Sequence, residues 1–244
     1  MRHIRVLSLV VMGTLLLTAC AAYGKAVDTK QLNDAVIARM IAAYGGKDVI
    51  NRTKSVYAEG EIVAHMKKDM GTYKRWSERD RKLRVETAYS RSSETRILSG
   101  VRGWRSDGGP LEEVTGHQFL AMVYQYKQLD LPYGMLNGKY RISDSWKDRM
   151  DGRDVKVFII EDSEGPPMRF CVDLKTYLII RVEGAFDMNG RTAILGVTFS
   201  DFRKVDGYPF PYRVQNFGSG MAIGETQIRK YVVNPAIKGS LFKP

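Results

Sequence analysis

The stretch Thr198–Tyr212 reads TFSDFRKVDGYPFPY, and its pattern decides how this chain folds. The pair Asp206-Gly207 favours a tight turn, because glycine adopts the left-handed backbone conformation that such turns need. Alternating and aromatic residues flank the pair, and they predict one strand over Arg191–Phe202 and another over Tyr208–Gln215. The stretch therefore predicts two antiparallel strands joined by a tight turn.

Short segments with the same period of two recur on both sides of this hairpin. They are bounded by turn residues, among them the strong hairpin signal Asn189-Gly190. The pattern predicts further strands at Val56–Ala64, Gly71–Glu78, Lys82–Tyr89, Thr95–Ser99, Val101–Ser106, Val155–Glu161, Pro167–Asp173, Tyr177–Phe186 and Thr226–Val233. Pro209 and Pro211 cannot donate to a ladder, so we expect their strand to be an edge or to be bulged there. Together the segments predict a mostly antiparallel sheet or barrel.

Two segments have the helical period of 3.6 residues instead. The first, Asp28–Tyr44, begins at a residue that can cap a helix and ends before Gly45-Gly46, with room for one more turn over 47–51. The second, over 115–129, opens on the capping-box pattern Thr-Gly-His-Gln, and we expect Pro132 to end it. Both segments have broad apolar faces, for which a sheet is the natural partner.

The N-terminal segment Met1–Cys20 has the features of an export signal. A basic start, MRHIR, precedes an apolar run that is too short to span a membrane, and the segment ends in Leu-Thr-Ala-Cys. This ending resembles the bacterial lipobox, which implies that the chain is cut before Cys20 and that Cys20 is acylated. Ordinary secretion, with cleavage after Ala21 or Ala22, is the alternative.

The remaining chain has the size and composition of one folded domain. We expect residues 1–19 to be a lipoprotein signal peptide, 20–27 a tether and 28–244 a single domain. With 44% hydrophobic and 27% charged residues, the chain should fold rather than stay disordered. If Cys20 is lipidated, Cys171 has no partner for a disulfide within the monomer, and we expect it to be buried and inert.

The formal net charge of the chain is +11, and the basic residues are spread along it without a long block. For an exported protein this pattern does not predict a nucleic-acid partner. A basic surface outside the cytoplasm could meet anionic lipid headgroups. A charged, solvated surface without a partner explains the composition equally well.

The sequence lacks the residue patterns of common catalytic sites. His65 and His117 stand singly, and there is no Gly-x-Ser-x-Gly elbow, phosphate-binding loop or dinucleotide-binding turn. We therefore predict no catalytic residues, no metal, no cofactor and no enzyme activity. Two alternatives stay open. One is a hydrolase or transferase acting on envelope lipids or glycans, and the other is a structural lipoprotein that grips anionic lipid or a protein partner.

Flexible and aromatic side chains are abundant in the chain. It has 11 methionines, 3 tryptophans and 13 tyrosines, and such side chains suit the wall of a cavity for acyl chains. The alternative is an ordinary core beneath a curved sheet. The candidate cavity and lid residues are Met40, Trp76, Trp104, Phe119, Met122, Val123 and Tyr126.

Three stretches of the chain resemble outer-membrane lipoprotein-sorting-like proteins, the carrier and receptor of the Lol pathway. They are the hairpin Thr198–Tyr212, the helix end and strand within Tyr44–Gly60, and the tail Val233–Pro244. The resemblance implies a mainly β (α+β) fold, an incomplete antiparallel β-barrel or strongly curved sheet with helices over a hydrophobic cavity. It also implies that the cavity takes acyl chains and that the partner is a lipid or an acylated lipoprotein.

The residue after the lipobox cysteine indicates in which membrane a lipoprotein resides. Ala21 stands there, where an aspartate would hold the product at the inner membrane. By resemblance to lipoprotein sorting signals, this implies the outer membrane, with the domain facing the periplasm. A permanently anchored protein cannot cross the periplasm as a shuttle. The lipobox therefore favours a fixed acceptor or scaffold, nearer to the Lol receptor than to the carrier, with envelope proteins as further partners.

Overall fold

The computed structural model describes residues 29–66, 68–163, 165–187 and 190–244. The predicted signal peptide, Cys20 and the tether lie outside these ranges. The described residues form one antiparallel sheet with helices packed against one of its faces.

The described part of the chain contains 13 strands, all hydrogen-bonded into one sheet. They are β1 (Ser55–Ala64), β2 (Asp69–Glu78), β3 (Lys82–Tyr89), β4 (Ser93–Ser99), β5 (Arg102–Ser106), β6 (Glu112–Val114), β7 (Arg141–Met150), β8 (Arg153–Glu161), β9 (Met168–Asp173), β10 (Ile179–Asp187), β11 (Thr192–Val205), β12 (Tyr208–Gly218) and β13 (Met221–Val233). Their order across the sheet is β6-β5-β4-β3-β2-β1-β13-β12-β11-β10-β9-β8-β7. Strands β6 and β7 are the two edges, so the curved sheet does not close, which confirms the predicted incomplete barrel.

Three α-helices accompany this sheet in the described ranges: α1 (Thr29–Ala43), α2 (Gly46–Arg52) and α3 (Gly116–Leu136). A short 3₁₀ helix, Gly239–Phe242, lies near the C-terminus. The predicted end of the first helix is confirmed, because α1 stops where Gly45 and Gly46 take left-handed backbone conformations. The extra turn predicted over 47–51 is part of α2.

Helix α3 is longer than the sequence pattern predicts. It runs through Pro132 to Leu136, so the prediction that Pro132 ends the helix is wrong. A proline removes one backbone donor, but here its ring is buried beside Leu131, and this apolar packing offsets the lost hydrogen bond. The predicted capping box is also wrong, because Thr115 makes no side-chain hydrogen bond at the start of the helix.

The two edge strands, β6 and β7, are absent from the predicted set. Strand β6 has only three residues, and β7 reads RISDSWKDRM, which is too charged to show a clear period of two. An edge strand faces solvent along one side, so it needs little apolar sequence, and charges there discourage pairing with other chains. An edge strand of this kind therefore lacks the alternating hydrophobic pattern by which strands are predicted.

Strand β12, which contains the two prolines, lies between β11 and β13 and is not an edge of the sheet. Its ladder with β13 runs only from Arg213 to Gly218, whereas its ladder with β11 extends to Tyr208. Pro209 and Pro211 thus lie where the strand has a single neighbour. The expected edge is therefore a local feature of this strand.

The sheet has two apolar faces with different coverings. The inner face is the one that carries Ala58, Val85 and Val182 and packs against α1 and α3. The outer face carries two smaller clusters, one around Trp104 and Phe242 and the other around Val155, Val157 and Cys171. The main core of the protein lies between the inner face and the helices.

Candidate functional site

A cavity lies between α3 and the inner face of the sheet. It consists of three adjoining spaces, which we call together the inner cavity. The central part has a volume of about 310 Å³. The N-terminal end, beside the start of α3, adds about 210 Å³, and the C-terminal end, beside the last turns of α3, adds about 110 Å³. Neighbouring spaces share lining residues, so they follow the underside of α3 as one channel.

Apolar side chains from distant strands form much of the wall of the central part, together with polar ones such as Gln128 and Asn216. The apolar side chains come from β1, β11, β12, β13 and α3, and include Ile62, Leu129, Val197, Phe199, Val214 and Ile228. The strands bring them together because residues that alternate along each strand point to the same face. A cavity of this size and lining is typical of sites for apolar ligands.

Aromatic rings from the residue after α1 and from β12 and β13 form one part of the wall of the C-terminal end. Consecutive ring centroids lie 5.2 Å apart for Tyr44 and Tyr208, 4.6 Å for Tyr208 and Phe210, and 4.5 Å for Phe210 and Tyr231. Burial raises the pKa of the Tyr44, Tyr208 and Tyr231 hydroxyls. The Tyr231 hydroxyl donates to the carbonyl oxygen of Pro211 at 2.6 Å. These hydroxyls are neutral, so the aromatic part of this wall is uncharged.

Arg79 contacts both α2 and α3 at the C-terminal end of the cavity. Its guanidinium donates to the carbonyl oxygens of Ile50 and Thr53, the latter at 2.9 Å, and its Cζ lies 3.6 Å from the ring centroid of Tyr133. It therefore links α2 and its C-cap to the last turns of α3. At the opposite end the cavity is bordered by the exposed residues His117 and Gln118 at the start of α3.

Two arginines in one row of cross-strand partners place positive charge on the wall of the cavity. Ala58, Arg75, Val85 and Arg96 are direct partners across β1, β2, β3 and β4, so their side chains share the inner face. Arg75 is only 8% exposed and lines both the central part and the C-terminal end. Burial disfavours its charge, but Tyr73 and Tyr231 outweigh that effect and raise the pKa of Arg75.

The predicted cavity residues are distributed over several places. Met122 lines the N-terminal end and Tyr126 the C-terminal end of the cavity. Phe119 and Val123 pack in the inner-face cluster beneath α3. Met40 is fully buried in the neighbouring cluster.

Trp76 and Trp104 lie on the other side of the sheet. They pack on the outer face with Ile97 and Phe242, away from α3. The predicted lipidation site, Cys20, is outside the described residues. The inner cavity is therefore built largely from residues that were not singled out in the sequence.

Arg75 is the most important residue that sequence reasoning missed. One signal could have found it: alternation in β2 puts Arg75 on the same face as Tyr73 and Ser77, and both neighbours are buried. That signal places Arg75 on a face of β2, but it does not show that this face is covered by α3.

The described ranges contain no group of three or more His, Cys, Asp or Glu residues that could hold a metal ion. In the same ranges no helix is long and apolar enough to cross a membrane. The lining of the inner cavity offers apolar contact together with polar and charged groups, Arg75 among them.

No protein-family model matches the sequence, and no curated protein sequence matches it. Solved structures do. A DUF1329 family protein from Desulfovibrio piger has a TM-score of 0.56 at 14% identity, covering 86% of this chain and 96% of the other. A LolA superfamily protein from Nitrosomonas europaea also has a TM-score of 0.56, at 12% identity, covering 86% of this chain and 97% of the other.

A third structure is a Vibrio parahaemolyticus domain assigned to outer membrane lipoprotein sorting. It has a TM-score of 0.53 at 13% identity and covers 86% of this chain and 95% of that domain. At such low identity these likenesses show the fold alone. The chain has a LolA-like fold, which confirms the fold that the three resembling stretches imply.

Proposed function

We propose that this protein binds acyl chains of a lipid or of an acylated lipoprotein in the inner cavity. It acts without catalysis, as a component of lipid or lipoprotein trafficking in the cell envelope. The observation that carries this proposal is the channel beneath α3, where apolar side chains from four strands and the helix meet. Moving an acyl chain from water into such a channel is favourable by about 0.8 kcal/mol for each buried methylene group.

The proposal also includes a fixed position at the outer membrane. The lipobox resemblance supports lipidation of Cys20, and Ala21 supports the outer membrane as the destination. The tether over 20–27 would then hold the domain on the periplasmic side, where it receives a chain from another component. The whole sequence has a formal net charge of +11, and this surplus of basic residues would favour contact with anionic headgroups.

Mass spectrometry of what co-purifies with the full chain tests the binding proposal. We expect acyl-bearing lipid or lipopeptide with the unaltered protein. Ala121 borders the central part and the N-terminal end of the cavity, so Ala121→Trp should fill the channel. Excluding only two methylene groups forfeits about 1.6 kcal/mol, and bound lipid should fall by about tenfold or more.

The matched control is Val101→Trp. It adds the same indole in the turn between β4 and β5, at a residue that is 79% exposed. This variant should keep its lipid. Equal lipid in both variants, or none with the unaltered protein, would contradict acyl-chain binding in the inner cavity.

Cys20→Ser tests the anchor. We expect this variant to stay unlipidated and to retain its signal segment, because signal peptidase II requires the cysteine that the lipobox resemblance implies. Intact-mass measurement of the purified chain distinguishes the forms. If the variant is cut normally and leaves the membrane fraction, Cys20 is not the lipid site.

A further inference from the structure

Three buried polar atoms without hydrogen-bond partners lie around one space. Among the described residues, the side-chain atoms in this condition belong to Arg75, Thr87, Arg96, Gln125 and Glu183. Arg75, Arg96 and Gln125 all line the central part of the inner cavity. Buried polar atoms are nearly always satisfied in native proteins. Their concentration at one cavity therefore points to a ligand that supplies the missing partners.

Arg75 is the deepest of the three. It is more than nine-tenths buried, and its Nε has no hydrogen-bond partner. Within the described ranges no carboxylate pairs with its guanidinium, whose charge meets only the neutral phenols of Tyr73 and Tyr231. A buried cation is normally paired, because removing a charge from water is costly.

Arg96 differs from Arg75 in this respect. The two arginines are separated by Val85 in the same cross-strand row, so their backbones lie roughly 10 Å apart. Arg96 lies at the N-terminal end of the cavity, where its Nε is 3.3 Å from the Glu94 carboxylate and lacks hydrogen-bond geometry. A carboxylate already balances this charge, which leaves Arg75 as the unbalanced cation of the row.

We propose that Arg75 binds an oxyanion carried by the acyl ligand, so that the cavity takes a single-chain anionic lipid with its acidic group inward. A planar guanidinium donates two parallel hydrogen bonds to a carboxylate or phosphate, which suits this role. The unpaired atom of Gln125 is its amide oxygen Oε1, an acceptor, so Gln125 contributes no donor to the oxyanion. The chain lies along Ile62, Val214 and Ile228. This inference rests on the proposed acyl-chain binding and narrows it to acidic lipids.

The test compares ligands of equal chain length on the purified full chain, freed of endogenous lipid. Laurate carries a carboxylate, lauroyl lysophosphatidic acid a phosphate, and dodecanol no charge. We expect the acidic ligand to bind at least about tenfold more tightly than dodecanol, since a hydrogen bond to a charged group has that order of effect. Comparison of laurate with the lysophospholipid identifies which oxyanion the site takes.

Arg75→Met keeps the apolar volume of the side chain and removes the charge. In this variant laurate and lysophospholipid should fall to the affinity of dodecanol, while dodecanol itself binds as before. Arg229→Gln is the matched control, because it removes one positive charge from an exposed ion pair with Glu61 on the outer face. It should leave all three affinities unchanged.

The outcomes separate the two proposals. Binding of all three ligands with equal affinity, or an acidic preference that survives Arg75→Met, would overturn the role of Arg75 and leave acyl binding intact. Binding of none would overturn the proposed function itself. Circular dichroism checks that the variant folds. Even if Arg75→Met does not fold, the comparison of laurate with dodecanol on the unaltered protein decides whether an acidic group is preferred.

Discussion

Two adjacent glycines at the junction of α1 and α2 differ in the space that surrounds them. Gly45 and Gly46 both have positive φ, at 95° and 82°. A Cβ on Gly45 would lie 2.7 Å from the carbonyl oxygen of Gly207 and 2.8 Å from Cβ of Val49, whereas a Cβ on Gly46 would meet nothing within 4 Å. Only Gly45 therefore combines the left-handed conformation with a close approach of two segments.

This pair gives a matched prediction of stability. Gly46→Ala should lower the free energy of unfolding by about 1 kcal/mol, the cost of a left-handed alanine. Gly45→Ala should lower it by about 2 kcal/mol or more, because the new methyl group also displaces the turn at Gly207. Urea unfolding curves measure both values. Equal losses would mean that the close approach does not constrain Gly45.

Neighbouring residues in β2 show what sequence can and cannot predict at this scale. The period of two correctly separates Arg75 from Trp76, because adjacent side chains in a strand point to opposite faces. The pattern does not predict which face of β2 packs against α3. Trp76 has the larger apolar surface, yet it faces outward, and Arg75 faces the cavity. The choice depends on which face α3 and the 3₁₀ helix cover, and both are far away in sequence.

At the scale of elements, the sequence predicts a helix end correctly where the backbone conformation of the local residues determines it. It fails where tertiary packing determines the end. Gly45 and Gly46 end α1 through their own conformational freedom. Pro132 does not end α3, because the residues around it gain apolar contact by staying helical. The sequence shows the cost of a proline in a helix, but the compensating contacts come from the sheet.

The 3₁₀ helix over Gly239–Phe242 is a small element with a large expected effect. Phe242 is 3% exposed and covers Trp104 and Ile97 on the outer face. Phe242→Ala should lower the free energy of unfolding by about 3 kcal/mol or more, as for other buried phenylalanines. Tryptophan emission should shift to longer wavelength as Trp104 meets water.

Lys243→Ala is the control for this prediction, because Lys243 is the exposed neighbour of Phe242. It should leave both stability and emission unchanged. If Phe242→Ala behaves like the control, the C-terminal segment contributes nothing to the covering of the outer face.

On the scale of the whole molecule, the sequence predicts the class of fold but not the site. Short strands bounded by turns indicate a curved antiparallel sheet, and the resembling stretches indicate the LolA-like arrangement. The inner cavity depends on how far the sheet curves away from α3. That distance is set by side chains from β1, β11, β12 and β13, which meet only after folding. No local pattern encodes it.

Cys171 lies on the outer face of β9, the third strand from the β7 edge of the sheet. It is 1% exposed, packs with Val155 and Val157, and burial raises the pKa of its thiol to about 11. Alkylation requires an accessible thiolate, so the folded protein should react very slowly with iodoacetamide at neutral pH. The reaction should accelerate with urea in step with the loss of circular dichroism.

Slow labelling that stays independent of urea, or rapid labelling of the folded chain, would contradict this prediction. A lipidated Cys20 does not interfere, because its sulfur is already substituted. If the prediction is correct, the labelling rate measures how often the part of the sheet around β9 opens under native conditions. Cys171 then serves as a built-in reporter, and slower labelling on adding a ligand would show that loading the channel under α3 tightens strands on the opposite face.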